Sequence, residues 1–328
     1  MDVQDVFRKI ATLKVGIIGD VMLDSYMWGS VDRISPEAPV PIVSLKKKEQ
    51  RIGGAGNVAL NIQSLNAQAF VITVTGDDDE ATQLNTLFAS QKIDTQYSFA
   101  SKGRITTNKT RVISRNQHMM RLDAEITNDI NREEEERIFE QFETFLEKEK
   151  PHIIILEDYN KGVLTEAVIR SVISTCRKMG IITAVDPKRK NFFAYKHADL
   201  FKPNLKEAKE ALNIITPFVD VVLLQDIHAQ LHNLLQHEVS FITLSEKGIF
   251  YQQQNESDII PSHLRNIADV SGAGDTVIAT AALVYAATKD IRLTAEISNI
   301  AGGLVCEEVG TVAIDKEKLV HECEVLLG

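Results

Sequence analysis

Continuously apolar runs alternate along this chain with stretches whose apolar residues recur every three or four positions. The runs Lys14–Gly19, Ala69–Thr75, His152–Glu157, Ile181–Asp186, Asp199–Lys202 and Ser240–Leu244 predict strands. Most are apolar at odd and even positions alike, as strands buried on both faces of a parallel sheet require. Helical spacing predicts helices over Ala55–Leu65, Glu80–Ser90, Arg132–Lys148, Thr165–Met179 and Asn204–Leu212, with two more near Ala273–Ala287 and Ile291–Val309 closing the chain. Strands alternating with helices imply βαβ units, hence a three-layer α/β/α fold around a mostly parallel central sheet. The acidic run Glu133–Glu136 reads as the solvated start of a helix, where negative charge suits the dipole. No repeat, low-complexity tract or linker divides the chain, so residues 1–328 are expected to form one domain.

Two segments break the pattern. Residues 21–52 carry Pro36, Pro39 and Pro41 and little helical periodicity, and residues 97–122 read as extended. Long non-helical excursions from a compact α/β body are often lids or binding flaps, so a small β lid is expected there. The second segment holds Lys102, Arg104, Lys109, Arg111, Arg115 and Arg121 and no carboxylate. It suits an anion site, or alternatively an edge strand guarded by charge. Tyr26 and Trp28 in the first segment suit either a ligand or partner, or a cover for apolar surface.

Composition narrows the class of function. The 328 residues carry 36 Lys+Arg against 46 Asp+Glu, a net charge of −10, which argues against coating nucleic acid or an anionic membrane. No apolar run is long enough to predict a membrane span, and the charged start MDVQDVFRKIATLKV lacks an apolar signal core. Cys176, Cys306 and Cys323 form no CxxC pair, so a reduced cytoplasmic setting is expected.

The sharpest chemical signal is DVSGAGDT at 269–276, which opens an apolar helix. Gly272, Ala273 and Gly274 would let backbone N–H groups at a helix start approach a phosphoryl group. Asp275 stands where a carboxylate could take a proton from an attacking hydroxyl, or could simply answer the helix dipole. The stretch RIGGAGN at 51–57 places Gly53, Gly54 and Asn57 before a helix, a pattern able to hydrogen-bond sugar hydroxyls. Gly54, Gly56 and Ala59 also satisfy the GxGxxA dinucleotide pattern, but the preceding SLKKKEQRI is no buried strand. A nicotinamide-dependent oxidoreductase stays open on that match alone.

Several strand ends convert apolar runs into carboxylates and lysines: Asp20 and Asp24, Glu157 with Asp158 and Lys161, Asp186, and Lys202-Pro-Asn204 with Glu207 one helical turn later. Carboxylates at the carboxyl ends of parallel strands can hold a hydrated Mg²⁺ that bridges nucleotide phosphates, which makes Glu157, Asp186 and Glu207 the metal candidates. No GxxxxGK[ST] occurs, so a P-loop is excluded, and no protein-kinase signature set is present. His228, His232 and His237 share one helical pattern without cysteine or a paired glutamate, which favours a solvated face over zinc.

With GGAGN and DVSGAGDT in this order, the chain resembles the ribokinase-like PfkB family of sugar kinases over essentially its whole length. GDVMLDSYMWGSVDRISPEAPVPIV, TNKTRVISRNQHMMRLD, EDYNKG, DPKRKNF and KPNLKEAKE are similar to segments of the family's heptose 7-phosphate kinases. The resemblance implies ATP-dependent phosphorylation at the anomeric hydroxyl of D-glycero-β-D-manno-heptose 7-phosphate, with Mg²⁺ and, by a weaker transfer, K⁺. It implies Asp275 as base, Gly272–Gly274 as anion hole, and nucleotide contacts at Asn204, Leu205, Lys206, Glu207, Ser245 and Gly248. Sugar contacts are expected at Asp20, Asp24, Gly53, Gly54, Asn57, Asp158 and Lys161, with Lys109, Arg111 and Arg121 gripping the remote phosphate. Asp269, with Ser271, would face the monovalent cation. Lids of this kind imply a homodimer. No HxGH motif occurs, so the stand-alone kinase form, without a nucleotidyltransferase domain, is expected. Gly56, Ser271 and the run at 310–313 depart from the family's usual residues.

Overall fold

A computed structural model describes residues 2–115 and 117–328. The chain begins with α1 (Val3–Ile10) and β1 (Lys14–Gly19), then sends out a long hairpin, β2 (Val21–Ile34) and β3 (Pro41–Gly54), which ends in α2 (Ala55–Ser64). β4 (Gln68–Ile72), β5 (Val74–Gly76), α3 (Asp79–Ser90) and β6 (Phe99–Ser101) follow, before β7 (Asn108–Ser114) and β8 (Gln117–Ala124). Next come α4 (Arg132–Glu149), β9 (Ile153–Glu157), α5 (Glu166–Met179), β10 (Ile182–Asp186), β11 (Leu200–Phe201), α6 (Leu205–Ala211), α7 (Val221–Leu235) and β12 (Val239–Thr243). A hairpin of β13 (Ile249–Gln253) and β14 (Glu256–Ile260) precedes α8 (Ala273–Thr288), α9 (Ile291–Val305) and α10 (Lys316–Leu327).

The central sheet has the order β14-β13-β12-β11-β10-β9-β1-β4, parallel from β12 to β4 and antiparallel through β13 and β14. Alternate residues of one strand serve opposite faces. Ile17 and Ile155 join α2, α8 and α9 in one buried cluster, while Ile18 and Leu156 join α4, α5 and α7 in the other. The result is the expected ribokinase-like α/β sandwich. Register places Gly19, Glu157 and Asp186 side by side, so β9 and β10 deliver terminal carboxylates to one edge and Asp20 follows β1 there.

β3-β2-β7-β8 form a separate four-stranded sheet. Its base is buried around Tyr26, while β8 is exposed along its length and Ile34, Leu45, Met120 and Leu122 leave apolar surface open. This sheet answers the expected lid, with one shift: Phe99–Ser101 pairs with β5, so the flap proper starts at Asn108 and reaches Ala124.

The structure departs from the sequence reading elsewhere. The strand expected over Ala69–Thr75 is two short strands, and β13 and β14 were not anticipated. α9 stops at Val305, and α10 rather than α9 closes the described chain. The histidines do not form a solvated helical face. His237 lies beyond α7, and His228 and His237 are buried, joined through the Ser240 hydroxyl at 2.8 and 2.6 Å. No helix among the described residues is long and apolar enough to cross a membrane.

Candidate active site

At the carboxyl edge, β1 runs into Asp20, whose carboxylate turns inward. Oδ2 accepts the backbone N–H groups of Tyr159 and Lys161, both at 2.9 Å, and Oδ1 accepts that of Val163 at 3.0 Å. Burial raises its pKa in spite of those donors. Asp20, expected at the sugar, is therefore committed to shaping the loop after β9. Asp158 is likewise enclosed: it accepts the Tyr195 hydroxyl at 2.8 Å, and burial pushes its carboxyl to about 6.

Asp275 lies in the first turn of α8, which begins at Gly272 with φ +79° and no side-chain cap. Gly272 is required there: the left-handed conformation strains other residues, and a Cβ would stand 2.8 Å from Asn57 Nδ2. Asn57, on α2, donates that amide to Asp275 Oδ2 at 2.8 Å. α2 also starts at a positive-φ glycine, Gly54, without a side-chain cap. Asn57 is held by Asn61, whose amide donates to the Asn57 carbonyl at 2.9 Å, while Asn61 Oδ1 accepts from Thr276 and from the N–H of Ile314. Burial pushes the Asp275 carboxyl up to about 6, against the hydrogen bonds from Tyr159 and Asn57. A buried carboxylate of that basicity beside unsatisfied helix N–H groups suits proton abstraction from a hydroxyl that attacks a phosphoryl group.

Beside it, Lys202 Nζ pairs with Asp186 Oδ2 at 2.6 Å, and both lie next to Gly274. Lys188 pairs with Glu207 at 2.6 Å, and despite burial its pKa is raised by Asp186 and Glu207. Glu207 Oε2 accepts the Asn204 N–H at 2.8 Å, closing a capping box on α6. Both oxygens of Glu207 thus accept a hydrogen bond within the chain. Glu157 is fully buried, and neither of its oxygens has a hydrogen-bond partner; burial, then Asp186 and Asp275, raise its pKa well above the usual range. No group of three or more His, Cys, Asp or Glu among the described residues could by itself hold a metal ion. Glu157, Asp186 and Glu207 were expected to meet Mg²⁺ through water or phosphate, which needs no such group. Spare oxygens on Glu157 and Asp186 do fit an ion that keeps its waters and binds chiefly to phosphates, as Mg²⁺ does.

The nucleotide candidates gather at the ends of β11 and β12, where Asn204 bridges Thr243. Leu205 and Lys206 open α6 there. Ser245 is exposed in the turn, its carbonyl accepting the Gly248 N–H at 3.1 Å, and Gly248 has φ +97°. Asp269 spends both oxygens inside the chain: Oδ1 accepts the N–H and hydroxyl of Ser271 at 3.0 and 2.9 Å, and Oδ2 accepts the Gly310 N–H at 2.9 Å. It ties the loop before α8 to the 310 loop.

The lid's cations meet carboxylates from outside their own segment. Arg111 pairs with Asp24, Arg121 with Asp123 at 2.8 Å, and Lys161 with Glu125 at 2.8 Å. Gly53 packs against Asp24, whose Oδ2 also accepts the Thr311 hydroxyl at 3.2 Å. Arg104 donates to the carbonyls of Asn128 and Lys161. Lys109 has no ion-pair partner among the described residues, and burial together with nearby Lys161 lowers its pKa. In the segment read as a bare anion site, Arg111, Arg115 and Arg121 are thus matched by carboxylates, while Lys102, Arg104 and Lys109 have no ion-pair partner among the described residues.

Tyr159 was missing from the sequence-based site, while Lys188 and Lys202 were marked at their strand ends without an assigned role. Each lay in a segment already marked by its strand end, and Tyr159 Oη donates to Asp275 Oδ1 at 2.6 Å. The GxGxxA match follows the lid strand β3 instead of a core strand, which removes the structural context of a dinucleotide site.

Comparison with known proteins gives the chain's family and fold. Residues 13–318 match the model of the pfkB family carbohydrate kinases. The chain is 39% identical over 303 residues to the bifunctional protein HldE of Aliarcobacter butzleri, covering 92% of this chain and 63% of that protein. It is 36% identical over 301 residues to the bifunctional protein HldE of Campylobacter curvus, covering 91% and 62%. The chain therefore spans less than two thirds of the length of these relatives. Phosphofructokinase-2 from Escherichia coli, in complex with potassium, superposes with a TM-score of 0.79 at 19% identity, covering 95% of this chain and all of that one. Ribokinase from Arabidopsis thaliana, complexed with ribose and ATP, gives 0.72 at 16% identity, covering 94% and 99%. The chain belongs to the pfkB family of carbohydrate kinases, phosphotransferases that act on an alcohol.

Proposed function

We propose that the chain transfers the γ-phosphoryl group of ATP to the anomeric hydroxyl of D-glycero-β-D-manno-heptose 7-phosphate, giving the 1,7-bisphosphate. The observation that carries the chemistry is the buried Asp275 at an uncapped, glycine-led helix start. Asp275 takes the proton of the attacking hydroxyl, a contribution of about 10²–10⁴-fold in rate. The N–H groups around Gly272–Gly274 face the phosphoryl oxygens, and Lys202 and Lys188 add positive charge beside them. Glu157 and Asp186 would hold Mg²⁺ through water, and the ion, when bound, neutralises phosphate charge. Gly53, Gly54, Asn57 and Asp24 line the sugar, and the sequence from 108 to 124 covers it. Similarity to proteins named HldE supports a substrate of this class.

The 7-phosphate is assigned to Lys109, Lys161, Arg111 and Arg121, with Lys109 as the cation free to accept it. The exposed apolar residues of the lid sheet, Ile34, Leu45, Met120 and Leu122, suit a homodimer formed lid to lid in the cytoplasm. A light-scattering mass of one chain at micromolar concentration contradicts that assembly.

A coupled ADP-release assay with Mg-ATP tests the substrate. The acceptors are heptose 7-phosphate, unphosphorylated heptose, fructose 6-phosphate and ribose. Turnover confined to heptose 7-phosphate is expected. Turnover on another acceptor keeps the phosphotransfer and discards the heptose assignment.

A further inference from the structure

Asp275 is held at both oxygens, by side chains from two different elements. Asn57 donates to Oδ2 from α2, and the Tyr159 hydroxyl donates to Oδ1 at 2.6 Å from the loop after β9. The terminal torsion of an aspartate is broad and soft, so a single donor leaves the carboxylate plane free to turn, whereas two donors on different oxygens set it. Each oxygen has a second lone-pair site, so one acceptor position per oxygen stays open for an incoming hydroxyl.

Tyr159 is itself placed by its surroundings. Its backbone N–H is one of the three that converge on Asp20, and Lys188 Nζ lies 5.6 Å from its ring centroid. With the Asp275 carboxylate as its acceptor at 2.6 Å, the Tyr159 hydroxyl is the donor of that bond. Asp20 therefore reaches the reacting centre indirectly, through the loop that carries Tyr159.

We propose that Tyr159 is the positioning residue of the proton-accepting carboxylate, pinning Asp275 Oδ1 and favouring the ionised form that can receive a proton. The proposal rests on the phosphoryl-transfer reading above. Burial drives Asp275 towards its neutral form, and the Tyr159 bond opposes burial most among the side chains. Replacing the hydroxyl while keeping the ring, Tyr159→Phe, removes that opposition and leaves the burial.

Two measurements on the full chain test this. The Asp275 carboxyl is titrated by NMR with ¹³Cγ-labelled aspartate, using Asp275→Asn to assign its resonance, in the unaltered chain and in Tyr159→Phe. The pH profile of kcat/KM is then recorded for both with Mg-ATP and heptose 7-phosphate. The expected result is a rise of about one pH unit in both the carboxyl midpoint and the acid limb, the size of one hydrogen bond to a charged group. Turnover of Tyr159→Phe then falls about fivefold at pH 6 and recovers to within about twofold at pH 8.5. A tyrosine that only supports the fold lowers the rate equally at every pH and leaves the acid limb in place, which overturns the proposal; an unmoved midpoint does so too. A midpoint that moves in a chain that phosphorylates no sugar at all sinks the phosphoryl-transfer reading and leaves the Tyr159–Asp275 coupling standing.

Discussion

Among the described residues, eight helices begin with a side chain that takes one of the helix's own unpaired N–H groups: Asp2, Asp78, Asn131, Thr165, Asn204, Asp220, Asp290 and Asp315. The other two, α2 and α8, begin at Gly54 and Gly272 with positive φ and no side-chain cap. Those two helices meet at the Asn57–Asp275 hydrogen bond. Where a helix start serves stability alone, a side chain satisfies it. Where the start faces the reacting centre, glycine removes the side chain and leaves the N–H groups for an anion from outside. α6 shows the intermediate case. It sits at the ends of β11 and β12 yet closes its own start with the Asn204–Glu207 box.

The contrast can be broken from either side. The largest effect is expected from Gly272→Ala, which forces a left-handed residue to carry a side chain and pushes its Cβ against Asn57 Nδ2. Displacing the amide that holds Asp275 lowers kcat by about 10²-fold, as a misplacement near 1 Å does elsewhere. Steady-state kinetics showing a rate within twofold of the unaltered chain contradict the assignment. At a capped start the outcome reverses. Asn131→Ala opens the capping box on α4, which supplies no hydrogen bond to Asp275, and costs about 1 kcal/mol in urea unfolding while kcat stays unchanged.

The smallest effect lies in the pH dependence of stability. Burial pushes His228 down to about 4 and His237 to about 3. An unfolded histidine titrates near 6.5, so between pH 6.5 and 4 the unfolded chain binds protons that the folded chain refuses. The stability from these two neutral rings is therefore complete above about pH 7 and is lost as pH falls towards 4. Buried carboxylates with raised pKa values, Asp158 and Asp275 among them, act with the opposite sign. The comparison is thus made against His237→Gln, whose urea midpoint declines less steeply between pH 6.5 and 4. Equal slopes would contradict the buried-histidine account.

The sequence showed what local chemistry writes and missed what distance hides. The parallel strands were visible because burial on both faces leaves them continuously apolar, as in Ile153–Glu157. β13 and β14 escaped because an edge hairpin mixes polar residues, QQQNES, into its strands. α10 escaped because it buries only Leu319 and Cys323, too sparse a stripe to read. In the site, the two glycine-led starts were legible, since glycine before a helix is a local signal. The Tyr159–Asp275 bond joins residues 116 apart and left no trace in either segment. The lid shows the same limit: residues 97–122 contain no acid, yet Asp24, Asp123 and Glu125 arrive from beyond that window to pair its arginines and Lys161.

The most direct test of the account is the turnover of Asp275→Asn with Mg-ATP and the accepted sugar, measured beside its ATP affinity. Asparagine keeps the size of the side chain but cannot take the proton. The account predicts a fall in kcat of at least about 10²-fold with ATP affinity within about threefold of the unaltered chain. Turnover near that of the unaltered chain would contradict it, and with it the role assigned to the glycine-led start of α8.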